Sequence, residues 1–292
     1  MDNQNKKDSF LPISIFLSAI IIAGAWIYTS GLETAKTEAE YFSEAENDVG
    51  ESVTIPVKWG DLGMQMVNAG VIDQAQFESL YFDRGGLDSI SKKLLSSASN
   101  GNLTMTPENT GFVLNLLWAF GLSNKNNILE RGPMSDPQYG SPAQLASVGG
   151  WTIAKGDAIS HYSKHPFVVL TPEQQNLVER VAKNIYRPCC NNSTYFPDCN
   201  HGMAMLGLLE LMAVQNMSEN EMYEIALKAN SLWFPDNYAN IAKYFESRGL
   251  SMDQMNAKEI LGANFSSTSG YKKMMSQMIS PALKKSGGSC GV

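Results

Sequence analysis

The feature that most constrains this chain is an uninterrupted apolar run near its N-terminus. Residues 10–28 read FLPISIFLSAIIIAGAWIY and carry no charge, a length that suffices for a helix spanning a bilayer. Trp26 and Tyr28 lie at its far end, where amphipathic rings favour the membrane interface. Lys6 and Lys7 precede it and indicate a cytoplasmic N-terminus. The sequence therefore predicts a single-pass anchor in the cell membrane, with the main domain outside the cytoplasm.

Cleavage of this run as a signal peptide is the alternative. The small residues Ala23, Gly24 and Ala25 resemble a cleavage site. We favour the uncleaved anchor because apolar residues continue past that site. Both interpretations export the domain, and an exported domain meets oxidising conditions in which disulfides are permitted.

Composition divides the chain into five predicted segments. They are a cytoplasmic tail at residues 1–9, the anchor at 10–28, an acidic linker at 29–52, an extracytoplasmic domain at 53–285 and a flexible tail at 286–292. The formal net charge is -7 and no basic patch is dense, which argues against nucleic acid as a partner. The sequence predicts the membrane as a partner, through residues 10–28, and leaves any protein partner unknown.

Helix start signals recur along the predicted domain. Thr106 is followed by proline, a pattern typical of a cap and first helical position. Thr171 and Gln174 have the spacing of a capping box, as do Ser218 and Glu221. These signals, with the amphipathic segments between them, predict a mainly α fold: a multi-helix globular domain behind an N-terminal membrane anchor.

Two stretches depart from the helical pattern. Residues 51–59 (ESVTIPVKW) have β character, and Pro56 restricts them to a short edge strand or an extended segment. Residues 122–158 form a long connection rich in Gly, Pro, Ser and Asn. Such a connection is either functional or an irregular loop that packs through apolar residues such as Leu129 and Trp151.

The residues able to carry chemistry are concentrated in one place. Every histidine and all but one of the four cysteines fall between residues 161 and 201. Cys189 and Cys190 follow the end of one predicted helix, and Cys199 and His201 enter the next. Three thiols and an imidazole are a ligand set for tetrahedral Zn or lower-coordinate Cu(I). We therefore predict a Zn or Cu site made of Cys189, Cys190, Cys199 and His201.

Two other uses of the same thiols stay open. Cys199 can form a disulfide with Cys189 or Cys190 and staple the loop, leaving the other for Cys290 on the tail. The chain would then be a disulfide-stapled helical interaction module without catalytic activity. Cys199 near a helix N-terminus could instead be a redox-active thiolate.

The remaining histidines and the methionines are weaker candidates. His161 and His165 would share a face if they lay on a helix, but the glutamate of a zinc-hydrolase motif is missing. Met203, Met205 and Met212 follow the cysteine stretch, and helical methionines usually fill gaps in a core. The motifs of serine hydrolases, dinucleotide-binding folds, P-loops and zinc proteases are absent, so a non-enzyme is favoured.

The cysteine stretch resembles a group of exported, membrane-attached bacterial proteins of unknown function named for a Pro-Cys-Tyr-Cys-Gly-Cys motif. The shared features are Pro188-Cys189 after a helix, Asp198-Cys199 after a short loop, and His201-Gly202 at the start of a helix. The alternating cysteines of the motif are replaced here by Cys-Cys-Asn-Asn. Over about 30 residues, the resemblance implies a soft-metal or thiol site and supplies no reaction.

Overall fold

A computed structural model describes residues 53–279, and its sheet is small. The strand β1 (Val53–Lys58) pairs antiparallel with β2 (Asn102–Met105), with Ile55 opposite Leu103. The predicted strand is thus confirmed. Its partner has only four residues, too few to show a clear alternation in the sequence.

Helices make up most of the described chain, which confirms the mainly α prediction. In order they are α1 (Leu62–Asn68), α2 (Gln74–Ser79), α3 (Ser89–Ser96), α4 (Thr110–Ser123), α5 (Asn127–Arg131), α6 (Ala146–Gly149), α7 (Pro172–Ala182), α8 (Asn200–Val214), α9 (Glu219–Trp233), α10 (Pro235–Glu246), α11 (Ala257–Ile260), α12 (Ala263–Ser266) and α13 (Thr268–Ile279).

The core is organised around the contact between α4 and α8. Both helices are apolar on nearly every side and are buried over most of their length. Gly121 and Gly207 face each other at the crossing, where a Cβ on Gly207 would lie 3.0 Å from the Gly121 nitrogen. The two backbones can approach this closely because neither residue has a side chain. This packing fixes the N-terminus of α8, where Cys199 lies.

A smaller apolar cluster forms from the last four helices. Tyr238, Ile241, Phe245, Ile260 and Met274 are its buried members. The N-terminus of α13 also contacts the cysteine loop (residues 183–199), because Thr268 donates to the carbonyls of Pro188 and Cys190.

Two predicted helix starts are confirmed, and one is wrong. Thr171 and Ser218 both form complete capping boxes. The helix predicted to begin after Thr106 starts only at Thr110. Thr106 and Asn109 bond each other reciprocally, with N···O distances of 2.7 and 3.3 Å, and this closes a turn before the helix.

The long connection at residues 122–158 is a packed segment. It contains α5, α6 and several 3₁₀ turns, and Ile128, Leu129 and Trp151 are buried in the main core. The packed-loop interpretation is therefore confirmed.

Within residues 53–279, no helix combines the length and hydrophobicity that a bilayer crossing requires. The anchor predicted at residues 10–28, the linker at 29–52 and the tail at 286–292 lie outside the described residues.

Candidate metal centre

The cysteine loop, residues 183–199, connects α7 to α8 and packs against the main core. The helix α7 ends at Ala182. Beyond it the chain folds back on itself, since the buried Thr194 donates through both its backbone N–H and its hydroxyl to the Ile185 carbonyl. The loop therefore presents its cysteines from a fixed backbone.

Three thiols of this loop come together, two from its middle and one from its last residue. The Sγ atoms of Cys189, Cys190 and Cys199 form a nearly equilateral triangle with sides of 3.7, 3.8 and 3.7 Å. A tetrahedral zinc ion with Zn–S bonds of about 2.3 Å has an S···S edge of about 3.8 Å. The triangle thus has the size of one face of a zinc–thiolate tetrahedron, and the cluster could hold a metal ion.

The structure gives no support to the predicted disulfide among these residues. All three cysteines are free. Their sulfurs are separated by 3.7–3.8 Å, whereas a disulfide bond requires about 2.05 Å. Cys290, the alternative disulfide partner, lies outside the described residues.

Arg187 is the central residue that the sequence did not reveal. Its guanidinium is fully buried and donates from Nε to Cys199 Sγ at 3.2 Å. The other nitrogens donate to the carbonyls of Asn192 and Phe196 at 3.0 and 3.2 Å. The Arg187 guanidinium therefore holds the loop backbone in place and also contacts the thiol cluster. An arginine before Pro-Cys-Cys gives no sequence signal for burial, because arginine is usually exposed.

Asp198 completes the charge arrangement. Its Oδ1 lies 3.3 Å from Arg187 Nη2, and its Oδ2 accepts a 2.6 Å bond from the Asn192 amide. Burial, and then the negative charge of Cys199, raise the pKa of Asp198, while Arg187 opposes them. Both carboxylate oxygens are thus engaged within the loop.

Cys199 is placed to carry the negative charge of the cluster. Hydrogen bonds from Cys189 and Cys190 lower the pKa of Cys199 well below its usual range, and the charge of Arg187 lowers it further against the effect of burial. Cys199 also caps α8, accepting from the Gly202 N–H at 3.4 Å. A helix N-terminus favours an anion at this position. Of the three cysteines, Cys199 is therefore the one whose surroundings most favour the thiolate form.

The two neighbouring cysteines are held as thiols in the metal-free protein. The contacts of Cys189 with Cys190 and Cys199, together with burial, raise the pKa of Cys189. The contact with Cys189 lowers the pKa of Cys190, but the contact with Cys199 and burial outweigh it and raise the pKa to about 11. A metal ion would displace these two protons when it binds.

His201 lies beside the triangle and outside it. In the described chain, the group whose ligand atoms all lie within 4.8 Å of one another contains the three cysteines alone. The His201 ring packs on Phe234 and Trp233, with centroid distances of 4.5 and 5.9 Å. Burial lowers the pKa of His201 against the effect of Cys199, so the ring is neutral near pH 7.

Gly202 makes room for the buried cation. A Cβ at this position would lie 2.6 Å from Cζ of Arg187, which is closer than real Cβ atoms approach. The guanidinium therefore rests against the first turn of α8 because that turn lacks a side chain here. The sequence shows the glycine at a helix start but not this neighbour.

The other two histidines form a separate pair. They lie in an irregular segment after a short 3₁₀ turn rather than on a helix, and His161 is buried. His161 Nδ1 and His165 Nε2 are 3.0 Å apart, and the His165 ring also stacks on Phe167. Each histidine thus has one ring nitrogen engaged by the other.

The methionines near the site serve packing. Met203, Met205 and Met212 are fully buried in the main core. Their thioethers fill space between α8 and its neighbours, as helical methionines commonly do.

A buried acid in α8 was not predicted. Glu210 is fully buried, and Asn126 Nδ2 donates to its Oε1 at 2.7 Å while Asn124 donates to its Oε2. Burial raises the pKa of Glu210 well above its usual range against these two bonds. Asn126 and Gln175 continue the network to a surface groove of about 390 Å³. An isolated glutamate in an apolar segment does not reveal amide partners that lie 84 and 86 residues away.

Comparison with protein-family models, curated proteins and solved structures finds no match to this chain.

Proposed function

We propose that this protein binds a soft transition-metal ion, Zn or Cu, through the thiolates of Cys189, Cys190 and Cys199. The triangle of sulfurs with sides of 3.7–3.8 Å is the observation that carries the proposal. Thiolate donors select Zn and Cu(I) over hard cations such as Mg²⁺ and Ca²⁺. The sequence also predicts His201 as a ligand, and its ring is neutral and lies two residues from Cys199. The ring lies outside the triangle and packs on Phe234 and Trp233.

The charges around the triangle favour zinc over monovalent copper. Three thiolates and Asp198 are negative, and Arg187, which contacts Cys199 and Asp198, is positive. A divalent ion leaves one net negative charge in this half-buried cluster, whereas a monovalent ion leaves two. Uncompensated charge away from water is costly, so the divalent ion is the better match.

We further propose that the metal site lies outside the cytoplasm, on a domain tethered by residues 10–28. The support for this step is the uncharged apolar run with lysines before it. Fractionation of cells that express the full chain, followed by protease treatment of intact cells, tests it. A full-length protein recovered in the soluble cytoplasmic fraction would contradict the anchor.

Elemental analysis of the full chain, purified in detergent without chelators, tests the metal proposal. We expect about one zinc per chain, and loss of that zinc in Cys199→Ser. Cys290→Ser is the matched control, since it removes a cysteine outside the triangle. A chain without metal after incubation with zinc, or one whose metal content survives Cys199→Ser, would contradict the proposal.

Thiol redox chemistry is a second candidate, and the environment of Cys199 favours it. A thiolate that caps a helix and lies 3.7–3.8 Å from two thiols resembles the nucleophile of a dithiol pair. Oxidation with glutathione disulfide, followed by mass mapping, would show a Cys189–Cys199 or Cys190–Cys199 bond that forms and is reduced reversibly. Three alkylatable thiols after that treatment would eliminate this candidate.

A further inference from the structure

We propose that the metal bound by the three thiolates keeps its fourth coordination position open to solvent and accepts a thiolate from outside the chain. The inference rests on the proposed metal site and concerns the class of its exchangeable ligand. Closed tetrahedral sets are typical of structural zinc, whereas sites that act on or exchange a ligand keep one position open.

The first support is the number of converging ligands. Within the described residues, only three residues bring ligand atoms together at this site. The candidates for a fourth ligand have other contacts. The His201 ring packs against Phe234 and Trp233. Both oxygens of Asp198 are engaged, one by Arg187 and one by Asn192.

The second support is the exposure of one corner of the triangle. Cys189 is exposed, whereas Cys199 is partly covered and faces the buried Arg187. The Arg187 side of the cluster is therefore closed to solvent, and the Cys189 side is accessible to solvent. An external ligand can reach the metal without unfolding the loop.

The class of ligand follows from the donors already present. Three sulfurs make the bound ion a soft centre, and a soft centre selects another thiolate over an alcohol or a carboxylate. The proposed external ligand is a single thiolate, which comes either from a small free thiol or from a cysteine of another protein.

The test uses the full chain loaded with Co²⁺, whose near-ultraviolet sulfur-to-cobalt absorbance increases with the number of bound thiolates. Titration with 2-mercaptoethanol should raise this absorbance by about one third, because four thiolates replace three. The rise should saturate while cobalt stays with the protein on gel filtration. Ethylene glycol, the oxygen analogue, should leave the spectrum unchanged.

The other outcomes of this titration separate the metal site, the open coordination position and the thiolate assignment. Failure to bind Co²⁺ overturns the metal site and this inference together. Binding without a response to the thiol overturns the open position alone. Repeating the titration in His201→Ala and Cys290→Ser then identifies the internal ligand, because only removal of that ligand would create a response. An equal response to ethylene glycol would overturn the thiolate assignment.

A short peptide with one cysteine distinguishes the two sources. A response to 2-mercaptoethanol alone assigns the position to small thiols. A response to both admits a cysteine of a partner protein.

Discussion

Arg187 donates its Nε–H to Cys199 Sγ at 3.2 Å, and the same sulfur caps α8. This contact links the shape of the loop to the charge of the cluster. The guanidinium holds two loop carbonyls while it stabilises the thiolate. The arrangement of the three sulfurs therefore depends on a residue outside the triangle.

Arg187→Lys should weaken zinc binding by about 10- to 100-fold, the range seen when residues that orient ligands are replaced. Lysine keeps the charge but cannot bond the sulfur and both carbonyls with one planar group. Competition with a chromophoric chelator measures the affinity. Arg180→Lys is the control, because Arg180 is 59% exposed in an ion pair on α7. Equal affinity in wild type and Arg187→Lys would contradict the role assigned to the guanidinium.

Gly202→Ala should destabilise the fold and the site together. Alanine is the better helix former by about 1 kcal/mol, so helix propensity alone predicts stabilisation. Here the new Cβ would lie 2.6 Å from Arg187 Cζ and displace the guanidinium. Gly111→Ala, in the first turn of α4 with nothing within 4 Å of its Cβ, is the matched control. Urea unfolding should rank Gly202→Ala below wild type and Gly111→Ala at or above it.

Of Cys189, Cys190 and Cys199, one should be a thiolate at pH 7 in the reduced, metal-free protein. The pKa of Cys199 is lowered, whereas that of Cys189 is raised and that of Cys190 is about 11. Thiolate absorbance in the ultraviolet, followed against pH, measures the number. Because the folded pKa of Cys199 lies below its unfolded value, its contribution to stability is present above the unfolded pKa and is lost as the pH falls through the folded one. Loss of the thiolate signal in Cys199→Ser, and its retention in Cys290→Ser, would support the assignment.

Glu210 should make the protein less stable as the pH rises. The folded pKa of this carboxyl is raised, so the native state holds a proton that the unfolded chain releases above its own, lower pKa. The free energy of unfolding should therefore fall between about pH 5 and the folded pKa. Urea unfolding at a series of pH values measures this slope.

Glu210→Gln should flatten the slope while lowering stability by about 1–3 kcal/mol, because one of its amide hydrogens would face the amide donor of Asn124 or Asn126. Glu224→Gln, an exposed change on α9, serves as the control. An unchanged slope in Glu210→Gln would assign the pH dependence to other groups.

Metal binding should reduce local opening of α13 as well as of the cysteine loop. The Thr268 hydroxyl donates to the Pro188 carbonyl at 2.8 Å, and the Thr268 N–H donates to the Cys190 carbonyl at 3.0 Å. Hydrogen exchange should therefore slow on zinc addition in both the cysteine loop and α13, while α3 stays unchanged. Thr268→Val, which removes the hydroxyl bond, should reduce the effect in α13 but not in the loop. Equal slowing across the whole domain would point to global stabilisation instead.

Local signals in the sequence determined much of the helical framework. The capping boxes at Thr171 and Ser218 were readable because a cap depends on residues three positions apart. The start at Thr106 was misplaced because Asn109 competes for the same backbone groups. The strand β2 was missed because four residues form a strand only when a partner is present.

For the site, the sequence by itself determined which residue types are concentrated between positions 189 and 201 and that Cys199 begins a helix. Only the tertiary structure decided that three sulfurs converge, that His201 turns to Phe234, and that a buried Arg187 faces Cys199. The physical reason is one of range. Helix caps depend on neighbours within one turn, whereas convergence of ligands and burial of a cation depend on how the loop packs against α8 and α13.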